Sequence, residues 1–589
     1  MPVSRSEAAG QTKGGLPLHR VLVIIGAAAL LALLTTGQIS GGNLVLKGVT
    51  ANQTPGINPP DPRFGVIESF ESPADADGLN VGWTRIIFHW ARAQAEGPDS
   101  WTPKISDEQI EADIAAGREV VGLLIGIPDW ARDENKLPKG LWLDHDDVDN
   151  TWANYVRNVV TRYQGRITHW IIWNEPDIRE TEIAHTWDGS VADFAQLLRV
   201  AYLVAKESNP DAVVHLSAFS YWADVFGNTE QYMARLLDEI MADPQAADHN
   251  YYFDAATAHL YFQPVQVYDL LDFFLSVMRQ RGLNHPIWLA ETNAPPRDDP
   301  EWPVPDWFLS VTLEEQAAFV PQALSSAIAA GADRIAVYKL RDNEEDRLAN
   351  PEPFGLVRLE GTHRPAYDTY RVAIEQLSST VGGERERWDV VGQIQMDQPG
   401  KSTTVLFSRL PSQQSAQVEA IYDAALLVDM WGESQPISPQ EDGFFHIELP
   451  GALCSQTIGD YCMIGGPTYY LVQVEPATPT ASLTPSAPTP EATDTSSPTP
   501  MPTATKPPAT ATFTPIPTET PTLSPPEPTS TPEVSASPRA TTTDIADPDS
   551  PAETTSNLAA PGLWFLGGAI LVAAMLILYW IAQRRNRGA

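Results

Sequence analysis

The chain has 589 residues, 52 prolines and a formal net charge of −37, which is more than one domain's worth of sequence and more proline than a globular core alone carries. So acidic a chain lacks the positive footprint that phosphates require, which argues against nucleic acid as a partner. The acidity reads instead as a solvated outer surface.

Residues 1–40 place Arg5, Lys13 and Arg20 ahead of an unbroken apolar run over 21–34. This predicts an export signal. No clean Ala-x-Ala site follows, so both a cleaved signal peptide and a retained anchor stay open, and in either case the basic flank remains cytoplasmic. Residues 41–60, with Gly, Asn and Pro, read as a leader.

From 60 to 372, short apolar runs alternate with polar, helix-like segments, the pattern of a (β/α)8 TIM barrel in the α/β class. Strands are expected over 64–67, 83–88, 120–125, 169–173, 212–216, 253–258, within 286–293, and over 334–340. Glu68 and His89 follow the first two directly. In the fourth, Ile171-Ile172-Trp173 ends abruptly in Asn174-Glu175-Pro176-Asp177. Its run does not alternate, as expected for a strand covered on both faces, and Pro176 stops the ladder because it has no N–H to donate. Glu175 is therefore expected at the carboxyl end of its strand, the rim on which such barrels build active sites. Pro286-Ile287-Trp288-Leu289-Ala290-Glu291-Thr292-Asn293 repeats the arrangement three units on. Two rim carboxylates suit glycosidic bond cleavage, in which one carboxylic acid protonates the leaving oxygen and a second carboxylate attacks from the other face.

Trp173-Asn174-Glu175-Pro176 and Trp288-Leu289-Ala290-Glu291-Thr292 together resemble the clan A retaining (β/α)8 glycoside hydrolases, closest to families 39 and 5, over residues 64–372. The resemblance implies that Glu175 is the acid/base, with Asn174 beside it at the sugar, and that Glu291 is the nucleophile. Arg85, in the second strand, would neighbour the nucleophile and keep it ionised; a structural ion pair is its bland reading. Gly126-Ile127-Pro128-Asp129-Trp130-Ala131 resembles the clan's turn after strand three, making Trp130 a candidate sugar platform. The chain holds 17 tryptophans, however, and for Trp90, Trp130, Trp222, Trp302 and Trp307 taken singly, packing is the favoured reading. His259-Leu260-Tyr261 resembles the strand-six His-x-Tyr that lines the sugar and approaches the nucleophile. The segment from Phe354-Gly355-Leu356 to Arg364-Pro365-Ala366-Tyr367 resembles the closing part of these barrels. Tyr338 stands where family 5 barrels commonly carry a sugar-stacking Trp, a departure that bears on the innermost subsite.

The loop after Glu291, over 293–308, is long enough to wall a cleft, and 313–330 reads as an amphipathic helix. Short alternating strands over 403–407, 417–420, 425–430, 444–449 and 468–472 predict a small β-sandwich domain within 380–475, whose expected role is to cover barrel surface. Cys454 and Cys462, the only cysteines, suggest one disulfide in an exported protein; a metal site would need more ligands. Residues 476–561 form a Pro/Thr/Ser tract expected to be a disordered, extended spacer of at most about 3.1 Å per residue. Residues 563–582 have transmembrane length, and the basic tail 583–589 is expected to stay cytoplasmic.

Together these readings predict a membrane-tethered, extracellular retaining glycoside hydrolase acting on an oligo- or polysaccharide, with no cofactor or metal implied. The alternatives are a surface carbohydrate-binding protein that keeps the barrel without turnover, and a stalked adhesin in which spacer and span are the functional parts.

Overall fold

Eight parallel strands close into a barrel in chain order: β1 (Asp61–Ile67), β2 (Val81–His89), β3 (Glu119–Ile125), β4 (His169–Ile172), β5 (Val213–Leu216), β6 (Ala255–His259), β7 (Ile287–Thr292) and β8 (Ala332–Val337). They are seen in a computed structural model that describes residues 59–179, 185–304, 309, 311–345 and 352–474. The apolar stretches 21–34 and 563–582, the Pro/Thr/Ser tract and Trp307 lie outside these residues. Among the described residues no helix is long and apolar enough to cross a membrane.

The strands lack alternation because both faces are covered. Inside the barrel, Ile67, Trp83, Val121, Leu123, Ile171 and Trp288 belong to one core, while residues of opposite parity such as Phe64, Val66, Ile86 and Leu124 join the surrounding helices in another. Two strands end earlier than the sequence predicts. β4 stops at Ile172 because Trp173 adopts a φ of 71°, which breaks the extended backbone. β8 stops at Val337, and the next carbonyl, that of Tyr338, is taken by the Asn293 side chain at 2.6 Å.

After the closing helix Pro365–Leu377 the chain turns to antiparallel sheet. β9 (Gly382–Trp388), β10 (Val391–Gln398), β11 (Lys401–Ser408), β13 (Ala425–Asp429), β14 (Ser434–Ile437) and β18 (Tyr469–Val474) form one six-stranded sheet, and β12 (Gln414–Glu419) pairs with β15 (Phe444–Leu449) as a separate ribbon. A two-stranded pair, β16 (Thr457–Ile458) with β17 (Tyr461–Cys462), carries the Cys454–Cys462 disulfide loop. β9, β10 and β14 are not among the strands expected from sequence. β9 reads Gly-Gly-Glu-Arg-Glu-Arg-Trp, a polar edge strand without apolar alternation.

Alternation in the other strands explains the layering. In β18, Tyr470 and Val472 join the barrel's outer core, whereas Leu471 packs with Leu406, Val418 and Phe445 under the ribbon. The sheet therefore covers the helix Leu313–Ala329 from outside. The sequence predicts an amphipathic helix there, but fourteen of its side chains, from Glu315 to Ile328, are buried, because barrel and sheet enclose it from opposite sides. Gln322 is bonded on both ends of its amide, accepting from Gly465 N–H at 3.0 Å and donating to the Gly466 carbonyl at 2.9 Å.

At the amino-terminal end the barrel interior is polar. Arg334 Nη1 meets Glu119 Oε2 at 2.6 Å, Glu119 Oε1 meets His169 Nε2 at 2.9 Å, and His169 Nδ1 meets His215 Nε2 at 2.8 Å. Burial opposes ionisation of Glu119, but the hydrogen bond and charge of His169 and the charge of Arg334 outweigh it and lower its carboxyl from 4.5 to about 2. Burial, together with His169 and Arg334, pushes His215 well below 6.5. Both shifts have one sign, since the unfolded chain binds more protons. Their stabilisation is complete above pH 6.5 and is lost as pH falls, first through His215 and then, from 4.5 towards 2, through Glu119. Glu119→Gln should cost about 1–3 kcal/mol in denaturant melts at pH 7, and the gap to the unmodified chain should narrow by about pH 3.5. An equal gap at both pH values would refute the ion-pair account.

Candidate active site

Glu175 and Glu291 reach the same point of the barrel's carboxyl rim by different routes. Glu291 lies within β7, in register with His259 of β6, and is 7% exposed. Glu175 stands three residues beyond β4 on a sharply kinked segment, with φ of 71° at Trp173 and 45° at Glu175, a conformation that costs on the order of 1–3 kcal/mol per residue and persists only where its surroundings enforce it. Here they do. The Trp173 ring is buried edge-on against Trp152 and Trp187, and its Nε1 donates to Thr186 Oγ1 at 3.2 Å. That hydroxyl donates to the Asn174 carbonyl at 2.7 Å, and Glu175 N–H donates to the Ala218 carbonyl at 3.1 Å.

His259 joins the two carboxylates. Its Nδ1 lies 2.9 Å from Glu175 Oε1 and 3.6 Å from Glu291 Oε2. Those oxygens are thus separated by no more than the sum of the two distances, which is at the bottom of the roughly 6.5–9.5 Å that inverting glycosidases need for a water. Arg85, fully buried in β2, places Nη1 2.6 Å from Glu291 Oε1, and the Tyr261 hydroxyl donates to Glu291 Oε2. Burial works against the Glu291 charge, yet His259 and Arg85, with the hydrogen bonds from Tyr261 and Arg85, hold its carboxyl below the ordinary value. The same negative charge acts with burial to push the Tyr261 phenol well above its usual range, so that it stays a donor. Tyr338 completes the wall, edge-on to Tyr261 at 6.4 Å and to Phe354 at 5.4 Å.

Arg85, Glu175, His259, Tyr261, Glu291 and Tyr338 are therefore together, and half-buried Asn174 adjoins Glu175. Trp130 is tied elsewhere. Its Nε1 donates to the Gln94 carbonyl at 2.6 Å and its ring meets Trp90 edge-on at 5.9 Å. Trp90, Trp222 and Trp302 are buried, as the packing reading expects.

Sequence reasoning passed over three features. Asn293, at the end of β7, donates to the carbonyls of Tyr338 and Phe354 at 2.6 and 2.7 Å and accepts from Gln316 at 3.2 Å, fixing the wall beside Glu291. Glu68, noted only as a rim residue, takes Lys339 at 2.7 Å and Lys104 at 3.5 Å; burial opposes its ionisation, but these two lysines and Arg85 carry its carboxyl below the usual value. Asp177 was visible as the residue after Asn-Glu-Pro. Its buried Oδ2 accepts both N–H and hydroxyl of Ser220, each at 2.7 Å, which staples the Glu175 segment to the loop after β5.

Burial above all, with the charges of Glu175 and Asp224, raises Asp177 from 3.8 to about 7 despite the Ser220 bonds. The folded chain binds the extra proton, so this group's stabilisation is present at low pH and is lost as pH rises from 3.8 through 7. Asp177→Asn keeps an acceptor for Ser220 without a charge. It should be more stable than the unmodified chain by about 1–3 kcal/mol at pH 8, with the difference vanishing near pH 4; thermal melts across that range decide it, and a variant less stable at pH 8 would show the carboxylate to be needed ionised.

No protein-family model matches the chain, and no curated protein matches it in sequence. Solved structures do. A family 39 glycoside hydrolase from the gut symbiont Bacteroides cellulosilyticus WH2 is 15% identical, covering 70% of this chain and 81% of its own, with a TM-score of 0.51. A glucosidase from Croceicoccus marinus (10% identity, 68% and 91% coverage, TM-score 0.47) and a GH30 endoxylanase from Clostridium papyrosolvens C71 (11%, 70% and 97%, 0.45) are also similar. At these identities the likeness is one of fold: the chain has the (β/α)8 architecture of glycoside hydrolases such as the family 39 enzyme, with antiparallel sheet after the barrel.

Proposed function

We propose that the chain is a retaining glycoside hydrolase that cleaves O-glycosidic bonds of an oligo- or polysaccharide by double displacement. The observation that carries the reading is His259 Nδ1 within 2.9 Å of Glu175 and 3.6 Å of Glu291, which brings both carboxylates to one imidazole at the barrel rim, as a pair acting on one glycosidic bond requires. The roles follow from surroundings. Glu291 has a guanidinium on one oxygen and a phenol on the other, which favour the carboxylate a nucleophile needs. Glu175 has the more exposed side chain, 18% against 9%, which suits a group that must exchange protons with solvent.

In the first step Glu291 attacks the anomeric carbon, the bond from that carbon to the leaving oxygen breaks, and Glu175 gives that oxygen its proton. In the second, Glu175 takes a proton from water, the resulting hydroxide attacks the same carbon, and Glu291 leaves as carboxylate. Tyr261 and Arg85 hold Glu291 in place throughout, so the aligned reactants meet without further ordering.

Glu291→Gln should abolish turnover of every substrate, whereas Glu175→Gln should spare aryl glycosides with activated leaving groups. Proton NMR of the first-formed sugar should show retained configuration; an inverted anomer would remove Glu291 from the nucleophile's role. Substantial turnover by Glu291→Gln would do the same.

The location belongs to the same proposal. The apolar stretch 563–582 with its basic tail suits a membrane anchor, the Pro/Thr/Ser tract a spacer, and the N-terminal apolar run an export signal. Protease added to intact cells should then release soluble activity. Activity wholly protected inside intact cells would overturn the extracellular assignment.

A further inference from the structure

The first turns of the helices that follow β7 and β8 lie at the carboxyl ends of the strands, the face on which Glu175 and Glu291 stand. Thr312 and Glu314 of one helix start and Pro365 of the other line an open cleft of about 390 Å³, together with Asp298 and with Trp431 and Leu453 from the β region. We propose that this cleft is a second carbohydrate-binding site, which holds a neutral polysaccharide chain on the catalytic face away from the glutamate pair. The choice of sugar as occupant rests on the glycosidase reading; the cleft itself does not.

Trp431 is 43% exposed and Leu453 54% exposed, yet both stand on fixed backbone. Asp429 Oδ1 accepts the N–H groups of Trp431 and Glu433, each at 2.9 Å, and between these positions Met430 is buried. Gly432, with φ of 93°, brings the turn so close to the helix Pro365–Leu377 that an added Cβ would lie 3.3 Å from Val372. Leu453 precedes the disulfide Cys454–Cys462, and the Ser455 N–H donates to Glu315 Oε1 at 2.9 Å, which ties that loop to the other helix start. A backbone already fixed leaves only the side-chain rotamers of Trp431 to be ordered when a ligand covers it. Its apolar face with a polar edge suits the C–H face of a pyranose.

Charge selects among occupants. Asp298 and Glu314 are exposed carboxylates on the cleft wall, acceptors for sugar hydroxyls that repel uronates. They also repel the chain's own Pro/Thr/Ser tract, which over 476–561 carries nine acidic against two basic residues. A neutral polyol meets neither penalty.

The test uses the full-length chain carrying Glu291→Gln, with and without Trp431→Ala, in native gels containing soluble arabinoxylan, xyloglucan, mixed-linkage β-glucan or galactomannan, with polygalacturonate as the charged comparison. The Glu291→Gln chain should be retarded by at least one neutral polymer and not by polygalacturonate. Trp431→Ala should weaken that binding about tenfold or more, as truncation of a central aromatic anchor does. With Glu291 intact, Trp431→Ala should leave aryl-glycoside turnover unchanged, which reports a folded barrel. Equal retardation with and without Trp431, no retardation by any neutral polymer, or a Trp431-dependent change confined to proteolysis of the Pro/Thr/Ser tract would overturn the proposal. If the chain with Glu291 intact turned over no glycoside, the glycosidase reading would fail while the retardation result still decided the cleft.

Discussion

Two carboxylates brought to either side of one imidazole repel each other, and nothing at the rim of this barrel works unless that repulsion is answered. Arg85 and Tyr261 answer it on one side only. They occupy both oxygens of Glu291, so the two acids are chemically distinct although they are neighbours. This asymmetry is set inside the barrel, since Arg85 shares the inward parity of Trp83 on β2 and has no route to water. The remaining rim contacts preserve the geometry: Asn293 holds Tyr338 beside Tyr261, and Asp177 with Ala218 holds the kinked backbone that carries Glu175.

Much of this was legible in the sequence because barrel strands write themselves as short apolar runs and because both acids follow such runs directly. All eight strands fall where the runs are. The residues gathered at the site, Arg85, Glu175, His259, Tyr261, Glu291 and Tyr338, are those that strand-end position and resemblance single out. What escaped has physical reasons. Glu175 needs two positive-φ residues to reach its place, and no periodicity announces a kink of non-glycine residues. Trp130 has the residue type of a sugar platform, but residue type does not tell what its ring meets, and the Gln94 carbonyl that takes its Nε1 and the edge-on Trp90 could not be read from sequence.

The β region shows the limits of patterning more sharply. The strands that alternate, such as β12 and β15, were readable, whereas β9 presents Glu and Arg where a buried strand would present Val and Ile. The helix Leu313–Ala329 has the opposite problem. Its small residues and buried glutamine look amphipathic at best until the sheet's position is known, because only then does a second buried face acquire a reason.

That enclosed helix makes the two halves of the folded chain inseparable. Cutting after Leu377 would strip Gln322 of both its partners and Glu315 of Ser455, and would expose to water the Val405, Phe407 and Tyr470 side of the interface's apolar counterpart. Intact, barrel and sheet should melt in a single cooperative transition, and neither would survive as a movable module: a chimera that exchanged the sheet for another would have to exchange the helix, and with it the wall behind the strand that carries Glu291.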